Sequence, residues 1–251
     1  MTRFSSLAVS ALVTLSLFAS AAQAAGIPKT VSAAVADSAR PQEDKDRDAA
    51  RKPAETVAFA GIKSGDKVVE LMPGSGYFTR IISVIVGPKG HVYAVSPPKG
   101  PNGRDFGAAV QAIAADPHYS NVTAVASGFN AISIPEPVDV VWTSLNYHDF
   151  HNGPTADIAA FNKGIFGLLK PKGTFIIVDH AGAAGSGTKD TSTLHRIDPA
   201  AVKEEVTAAG FKFDKQGDFL HNPDDPHTAG VRDASVRGKT DQFAMKFTRP
   251  K

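Results

Sequence analysis

The stretch Val68-Val-Glu-Leu-Met-Pro-Gly-Ser-Gly-Tyr-Phe-Thr-Arg80 decides the fold. It starts as a short run rich in β-branched apolar residues, passes through Gly74-Ser-Gly76, and continues from Tyr77 to Val86 with helical spacing. Neither glycine carries a Cβ, so a ligand can approach the backbone closely. The helix that follows turns free N–H groups and its positive dipole end toward the same place. This context is typical of a nucleotide-binding turn, and a tight turn without a ligand is the alternative.

On both sides of this turn, apolar runs of strand length alternate with segments of helical spacing. The predicted strands are Lys67–Leu71, His91–Ser96, Val122–Ala126, Val138–Ser144, Thr174–Val178, Phe211–Phe219 and Gln242–Thr248. The predicted helices are Tyr77–Val86, Phe106–Ala115, Thr155–Leu169 and the segment from Asp198 to Gly210. Strands separated by helices imply right-handed crossovers and a mostly parallel sheet, and the two late strands predict an antiparallel edge. We expect an α/β, Rossmann-like fold of about seven strands with helices on both faces and an antiparallel last strand.

The first residues have the order of a secretory signal peptide. Arg3 precedes an apolar run from Leu7 to Phe18, and Ala22-Gln-Ala24 follows. The apolar run is shorter than the roughly 20 residues that span a bilayer, so we expect no stable membrane insertion after cleavage. Residues 1–24 are therefore predicted to be removed, which would leave a periplasmic or secreted protein. Residues 25–41 predict a linker or a loosely packed helix, and the domain is expected to span residues 42–251.

Composition narrows the classes of function. The 251 residues include 27 Lys and Arg against 25 Asp and Glu, and a net charge of +2 gives no electrostatic basis for binding nucleic acid. The absence of cysteine excludes disulfides, thiolate metal sites and cysteine nucleophiles. The stretch Gln42–Lys52 has eight charged residues in eleven and predicts a solvated helix. The alternative for this stretch is that Arg47 or Arg51 caps a ligand site.

The glycine turn resembles the first motif of the class I S-adenosylmethionine-dependent methyltransferases, which runs acidic-x-Gly-x-Gly-x-Gly. Glu70-Leu-Met-Pro-Gly74-Ser-Gly76 matches this motif with Met72 in place of its first glycine. The chain is also similar to an exported family of predicted methyltransferases that has an ELMPG-G-YFTR turn. Its upstream RP-ED--RDA-RKP segment corresponds here to Arg40–Pro53, and its late GKTD-F stretch to Gly238–Phe243. This resemblance covers residues 40 to 250 and implies S-adenosylmethionine as the cofactor and methyl transfer to a small molecule.

The resemblance also implies a set of cofactor contacts. They are Glu70, Pro73, Gly74, Ser75, Gly76, Tyr77, Ser96, Asn130 and Asn146. Ser96 stands where the fold normally has an acidic residue that binds the ribose hydroxyls, about 20 residues past the glycines. Asn130 begins a stretch whose first residue meets the adenine amino group in the family, and an Asx turn is the alternative for it.

Polar side chains follow the fourth and fifth predicted strands. Asn146-Tyr-His-Asp-Phe-His151 comes after the fourth strand, and Asp179-His180 ends the fifth. Open α/β sheets bind ligands beyond the carboxyl ends of their strands, and a histidine is suited to accept a proton near neutral pH. We predict His148 as the catalytic base, with Asp149 or Asp179 orienting it. The alternative is that these side chains only tie loops together.

Two other functions remain open from the sequence. An exported binding protein without catalysis is favoured by Ser96 at the ribose position and by the export signal. A metal-assisted enzyme is the second alternative, because His148, Asp179 and His180 are residue types that bind divalent metals, although no diagnostic spacing predicts a resident metal. His195-Arg196, after the loop Ala181–Gly187, is expected to close over the substrate. The sequence predicts no particular oligomeric state.

Overall fold

A computed structural model describes residues 26–153 and 156–251. The predicted signal peptide at residues 1–24 lies outside the described residues. The strands are β1 Lys67–Leu71, β2 His91–Ser96, β3 Val122–Ala126, β4 Val138–Ser144, β5 Leu169–His180, β6 Lys212–Gly217 and β7 Gln242–Thr248. The helices are α1 Lys29–Val35, α2 Gln42–Lys45, α3 Asp48–Arg51, α4 Pro53–Ala60, α5 Tyr77–Val86, α6 Ala108–Ala114, α7 Ile158–Leu168 and α8 Pro199–Ala208. None of the described helices combines the length and hydropathy needed to cross a bilayer.

The seven strands form one sheet in the order β3-β2-β1-β4-β5-β7-β6. The pairs among β1 to β5 are parallel, whereas β7 lies between β5 and β6 and runs antiparallel to both. The predicted mixed α/β fold with an antiparallel last strand is therefore confirmed. Because β1 lies between β2 and β4, the turn that follows β1 opens at the middle of the sheet.

The central strands are mostly apolar because both faces of the sheet are covered. Val68 belongs to a core cluster that includes residues of α1, α4, α5 and α6. The next residue, Val69, belongs to a second cluster on the other face, formed with α7 and α8. In β4, Val141 and Trp142 divide in the same way between the two clusters. Buried parallel strands read as continuous apolar runs for this reason.

The largest differences between predicted and observed boundaries are at the starts of β5 and α7. β5 begins at Leu169, five residues before the predicted start, because Leu169 pairs with Val138 across an irregularity in the β4–β5 register. α7 begins at Ile158, where the Asp157 carboxylate accepts a hydrogen bond of 2.9 Å from the N–H of Ala160. Aspartate is a favoured residue at a helix N-terminus, and this cap sets the start of α7. The predicted first residue of the helix, Thr155, lies outside the described residues.

The amino-terminal segment packs against the glycine turn. α1 buries Val31 and Ala34 in the first core cluster, so the helical alternative describes this part of residues 25–41. The prediction of a solvated helix at Gln42–Lys52 was wrong. This stretch forms two single-turn helices, and the carboxylate of Asp44, which is 1% exposed, pairs with Arg80 at 3.0 Å.

The two turn glycines differ in what surrounds them. Gly76 has a φ of 80°, and a Cβ at this position would lie 2.0 Å from Cδ1 of Ile113. Gly74 has a φ of 60°, but a Cβ there would meet no atom within 4 Å. Both positions need a left-handed backbone, whereas only Gly76 also lies in close contact with a neighbouring side chain.

We expect Gly76→Ala to lower the free energy of unfolding by about 2–4 kcal/mol, from backbone strain and overpacking together. Gly74→Ala should cost about 1–2 kcal/mol, from backbone strain alone. Urea denaturation followed by circular dichroism measures both. Equal losses in the two variants would contradict the packing assigned to Gly76.

Candidate functional site

A pocket of about 430 Å³ lies at the carboxyl ends of four adjacent strands. Met72 follows β1, Pro97 follows β2, the residues from Gly128 to Ala131 follow β3, and Asp149 and Phe150 follow β4. This is the edge of the sheet at which open α/β folds bind ligands. The strand order thus brings separate loops together at one cavity.

Met72 replaces the first glycine of the motif and keeps a left-handed backbone, with a φ of 51°. Its N–H donates to the carbonyl of Val95 at 2.9 Å, and its carbonyl accepts from Nδ2 of Asn146 at 3.1 Å. These two bonds fix the conformation that glycine adopts without strain. The side chain has changed, but the turn keeps the backbone that the motif requires.

The turn residues that are predicted to contact the cofactor differ in solvent exposure. Gly74 and Ser75 are exposed, whereas Pro73 and Gly76 are buried. Ser75 Oγ accepts a hydrogen bond of 3.1 Å from Arg47, whose helix segment covers this side of the turn. Only the backbone of the turn remains for a ligand along this side.

The side chain of Tyr77 does not belong to the pocket. It is 1% exposed, and its hydroxyl donates to Oδ1 of Asp48 at 2.5 Å. Asp48 also accepts two hydrogen bonds from the buried guanidinium of Arg40, at 2.9 and 2.6 Å. Tyr77 therefore joins the glycine turn to the amino-terminal segment, and only its backbone, at the start of α5, remains near the turn.

Ser96 and Asn130, both predicted to contact the cofactor, lie in different settings. Ser96 is 2% exposed, and its hydroxyl has no hydrogen-bond partner among residues 26–153 and 156–251. Asn130 lies in a short 3₁₀ turn, Phe129–Ala131, and lines the pocket.

Sequence spacing did not identify Asp105. This aspartate, with Ser96 and Pro97, lines a second pocket of about 270 Å³. Its Oδ1 accepts a 2.8 Å hydrogen bond from the N–H of Gly107. Spacing predicts the ribose-binding residue at the end of β2, whereas Asp105 lies in the loop that follows this strand. The sequence feature that could have identified Asp105 is a carboxylate in the loop between β2 and the next helix.

Glu70 is buried and Arg51 is half-buried next to the turn. Glu70 is 3% exposed and accepts a hydrogen bond of 2.6 Å from the Thr79 hydroxyl, and burial raises its pKa to about 7. Nη2 of Arg51 donates to Ser144 Oγ at 3.2 Å, and its guanidinium lies 4.3 Å from the ring centre of Tyr77. Burial lowers the pKa of Arg51 to about 10. Within the described ranges Arg51 forms no ion pair with a carboxylate, so its charge is incompletely compensated.

The predicted base, His148, is held firmly by Asp179. The N–H of His148 lies 2.8 Å from Oδ2 of Asp179, and the ring Nδ1 lies 2.8 Å from Oδ1. Both side chains are almost fully buried. Burial alone would lower the pKa of His148, but the charge and hydrogen bond of Asp179 raise it above its usual value. Asp179 is therefore the orienting carboxylate, and Nε2 lies on the opposite side of the ring.

Asp149 and His195 meet His148 at Nε2. Oδ1 of Asp149 lies 3.4 Å from it, and Nδ1 of His195 lies 3.3 Å from it. The Asp149 oxygen and the His195 nitrogen are themselves 3.4 Å apart. We name this group the His148 centre. Since Asp149 also lines the 430 Å³ pocket, the centre borders the cavity.

Two other predicted groups lie outside the centre. Nδ1 of His180 lies 2.8 Å from the Thr240 hydroxyl, and burial lowers the pKa of His180 to about 4. Arg196 does not belong to a lid, because its guanidinium is fully buried and bonds to Asp225 at 2.8 and 3.1 Å. Of the His195-Arg196 pair, only His195 reaches the site.

Comparison with known proteins gives the fold its context. No protein-family model matches the chain. A protein-L-isoaspartate O-methyltransferase of Ignicoccus hospitalis is 46% identical over 39 residues, which are 16% of this chain and 18% of that protein. The match thus spans less than a fifth of that protein's length.

Solved structures are similar over most of the chain. A SAM-dependent methyltransferase of Aquifex aeolicus superimposes with a TM-score of 0.57 at 19% identity, covering 83% of this chain and 98% of that one. An arsenic(III) S-adenosylmethionine methyltransferase of Chlamydomonas reinhardtii gives 0.55 at 19% identity, covering 89% and 74%. Aeropyrum pernix fibrillarin, solved with natively bound S-adenosylmethionine, gives 0.51 at 16% identity, covering 80% and 76%. The chain therefore has the Rossmann-like fold found in S-adenosylmethionine-dependent methyltransferases.

The raised pKa of Glu70 predicts a pH dependence of stability. A group whose pKa is higher in the folded state stabilises that state below its unfolded value, here 4.5, and this contribution is lost as the pH rises through about 7. We expect the free energy of unfolding to fall by about 1–3 kcal/mol between pH 5 and pH 8. Glu70→Gln should remove most of this fall, whereas Glu55→Gln, at an exposed position, should not. Urea denaturation across this pH range decides, and parallel curves for wild type and Glu70→Gln would contradict the prediction.

Proposed function

We propose that the protein transfers a methyl group from S-adenosylmethionine to a small-molecule acceptor. The observation that carries this proposal is the 430 Å³ pocket that connects the turn after β1 with the His148 centre after β4. Its volume falls within the range of about 300–1,000 Å³ that is typical of small-molecule sites. Met72 of the turn and Asp149 of the His148 centre line the same cavity, which supports a cofactor and an acceptor bound side by side.

The residues present fit the adenosyl part of the cofactor. Gly128, Phe129 and Ala131 supply an apolar lining, and Asn130 places an amide among them. We assign the ribose hydroxyls to Asp105, because Ser96 buries its hydroxyl while Asp105 borders the neighbouring pocket. A carboxylate can accept two hydrogen bonds from a ribose, as the acidic residue at the end of β2 does elsewhere in this fold.

Arg51 fits the carboxylate of the cofactor's methionine part. It is half-buried beside the start of α5 and the end of β4, and its charge has no ion-pair partner in the described segments. Partial burial of a cation without a partner is unfavourable, and a guanidinium binds a carboxylate through two parallel hydrogen bonds. A ligand carboxylate at this position would compensate the charge, which favours the ligand-capping role over the solvated helix.

At the other end of the site, the chain's residues must orient the acceptor, exclude water and remove a proton. When bound, S-adenosylmethionine supplies an electrophilic methyl group on a sulfonium sulfur. We assign proton removal to the His148 centre. Asp179 fixes the His148 ring, and Asp149 lies on the Nε2 side, where it borders the pocket.

A binding protein without catalysis is the second candidate. Ser96 favours it, since the ribose-binding acid is missing from the end of β2 and the serine hydroxyl is buried. Either function would operate outside the cytoplasm if the predicted export signal is used. Turnover with an acceptor, rather than cofactor binding, distinguishes the two.

S-adenosylhomocysteine should bind with a dissociation constant in the micromolar range, about −8 kcal/mol, as measured by titration calorimetry. Gly128→Leu is expected to weaken this binding at least tenfold, because it fills the pocket while its backbone, with a φ of −69°, accepts any side chain. Gly167→Leu makes the same change at an exposed position of α7, and this variant should bind the ligand as the wild type does. No heat with the wild type, together with an unchanged melting temperature at high ligand concentration, would disprove cofactor binding.

Arg51→Met tests the methionine end separately. S-adenosylhomocysteine should bind the variant about 10- to 100-fold more weakly, a loss of about 1.4–2.7 kcal/mol. Methylthioadenosine lacks the amino-acid part and should bind both proteins equally. Arg237→Met, at an exposed arginine, is the matched control. Equal weakening of both ligands would show that Arg51 supports the pocket in general and does not recognise the carboxylate.

A further inference from the structure

We infer that Nε2 of His148, Oδ1 of Asp149 and Nδ1 of His195 form a binding site for one divalent cation of the zinc class. The three atoms come from the 3₁₀ turn after β4 and from the loop that follows β5. The site itself follows from the arrangement of these side chains. Its role in catalysis, argued below, rests on the proposed methyl transfer.

The three donor atoms form a nearly equilateral triangle. Its edges are 3.3, 3.4 and 3.4 Å. Zinc binds histidine nitrogen and carboxylate oxygen at about 2.0–2.1 Å, so two ligands of a regular tetrahedron lie about 3.3–3.4 Å apart. Octahedral ions with bonds of similar length hold adjacent ligands about 3.0 Å apart, which is shorter than these edges. The triangle matches one face of a tetrahedral site.

Hydrogen bonding alone explains this triangle poorly. Nδ1 of His148 is bonded to Asp179, so neutral His148 presents a lone pair at Nε2. The Asp149 oxygen and a deprotonated His195 nitrogen are also acceptors. The edges exceed the 2.7–3.2 Å that is usual for an N–H···O bond, and one proton satisfies only one edge. A cation at the centre of the face satisfies all three atoms at once.

The surrounding residues hold the ligands in place. Asp179 lies behind His148 and fixes its tautomer, the arrangement that commonly supports a metal-binding histidine. His195 has a φ of 55°, a conformation that is unfavourable for histidine and is fixed by its neighbour. That neighbour, Arg196, is fully buried and bonded to Asp225 and to the carbonyl of Ala181. Both histidines are therefore positioned before any ion arrives.

One side of the site remains open. The side chains of Asp149 and His195 are 34% and 30% exposed, whereas that of His148 is 3% exposed. Three protein ligands and one free position are typical of catalytic zinc sites. Two histidines exclude a dedicated magnesium or calcium site, because those ions prefer oxygen ligands only. The free position lies on the side where Asp149 borders the pocket.

A cation here gives the His148 centre a defined substrate class, an acceptor with a hydroxyl group. A bound ion would lower the pKa of that hydroxyl so that its proton could leave to solvent, and His148 would then serve as a ligand rather than as the base. A new bond then forms between the acceptor oxygen and the methyl carbon while the carbon–sulfur bond breaks. The sulfonium leaves as a neutral thioether, so charge and atoms balance without an oxidant or a reductant.

The test is zinc binding by the full protein after removal of metal with a chelator. Competition with a chromophoric chelator should show one zinc ion per chain, and cobalt should give the visible absorption of a tetrahedral site. We expect His195→Ala and Asp149→Asn each to weaken zinc binding at least 100-fold. Asp179→Asn should weaken it 10- to 100-fold, because the ligand His148 loses its support.

His221→Ala is the matched control. His221 and His227 contact Asp241 at 2.9 and 3.0 Å, so this variant disrupts a second cluster of histidines and a carboxylate, away from the proposed site. It should bind zinc as the wild type does, and melting curves show whether each variant is folded. Equal zinc affinity in the wild type and in folded His195→Ala, or loss of binding in His221→Ala alone, would overturn the site. Calorimetry with S-adenosylhomocysteine on the metal-free protein tests the proposed function independently, so failure of one is distinguishable from failure of the other.

Discussion

The arrangement of the site depends on the buried carboxylate of Asp179. It accepts hydrogen bonds of 2.8 Å from the backbone N–H of His148, from the ring of His148 and from the N–H of His180. A fully buried carboxylate is destabilising unless such donors surround it, so the turn after β4 must stay next to the end of β5. The same bonds set the direction of the His148 ring. Its second nitrogen is thereby directed toward Asp149 and His195.

The loop with His195 is held by a second buried carboxylate, that of Asp225. It binds the guanidinium of Arg196 and accepts a hydrogen bond of 2.6 Å from the N–H of Asp241. Asp241 in turn precedes β7 and belongs to the late Gly238–Phe243 stretch. This stretch therefore supports the site from a distance, through the loop it anchors. Such preorganisation keeps catalytic or metal-binding side chains within the narrow tolerance that their chemistry requires.

The sheet was predictable from the sequence because each strand is a local apolar run with its own boundary signals. The glycine turn between Leu71 and Tyr77 added the resemblance to the methyltransferase fold, whereas the order of the strands in the sheet was not predicted. The ion pairs of Arg40 with Asp48 and of Arg80 with Asp44 were not predictable in this way, because charge spacing along a helix does not reveal a buried partner. His195 was assigned to a lid for a similar reason. Its contact with His148 spans 47 residues and depends on the anchoring of Arg196, which no local pattern shows.

Two energetically unfavourable features, at Met72 and Arg51, bear on whether the turn after β1 binds a cofactor. Met72 holds a left-handed backbone that costs about 1–2 kcal/mol relative to glycine, and Arg51 is a half-buried cation without an ion-pair partner in the described chain. Both features destabilise a protein that binds nothing there. Substitutions that relieve such strain are common and usually stabilising, so these features persist most readily where a ligand uses them. Ser96 stands in place of an acidic residue, but the turn after β1 and the cation of Arg51 fit an adenosyl amino acid. These features favour the proposed cofactor site, with Asp105 in the loop after β2 as the ribose contact proposed above, over a fold that binds no ligand there.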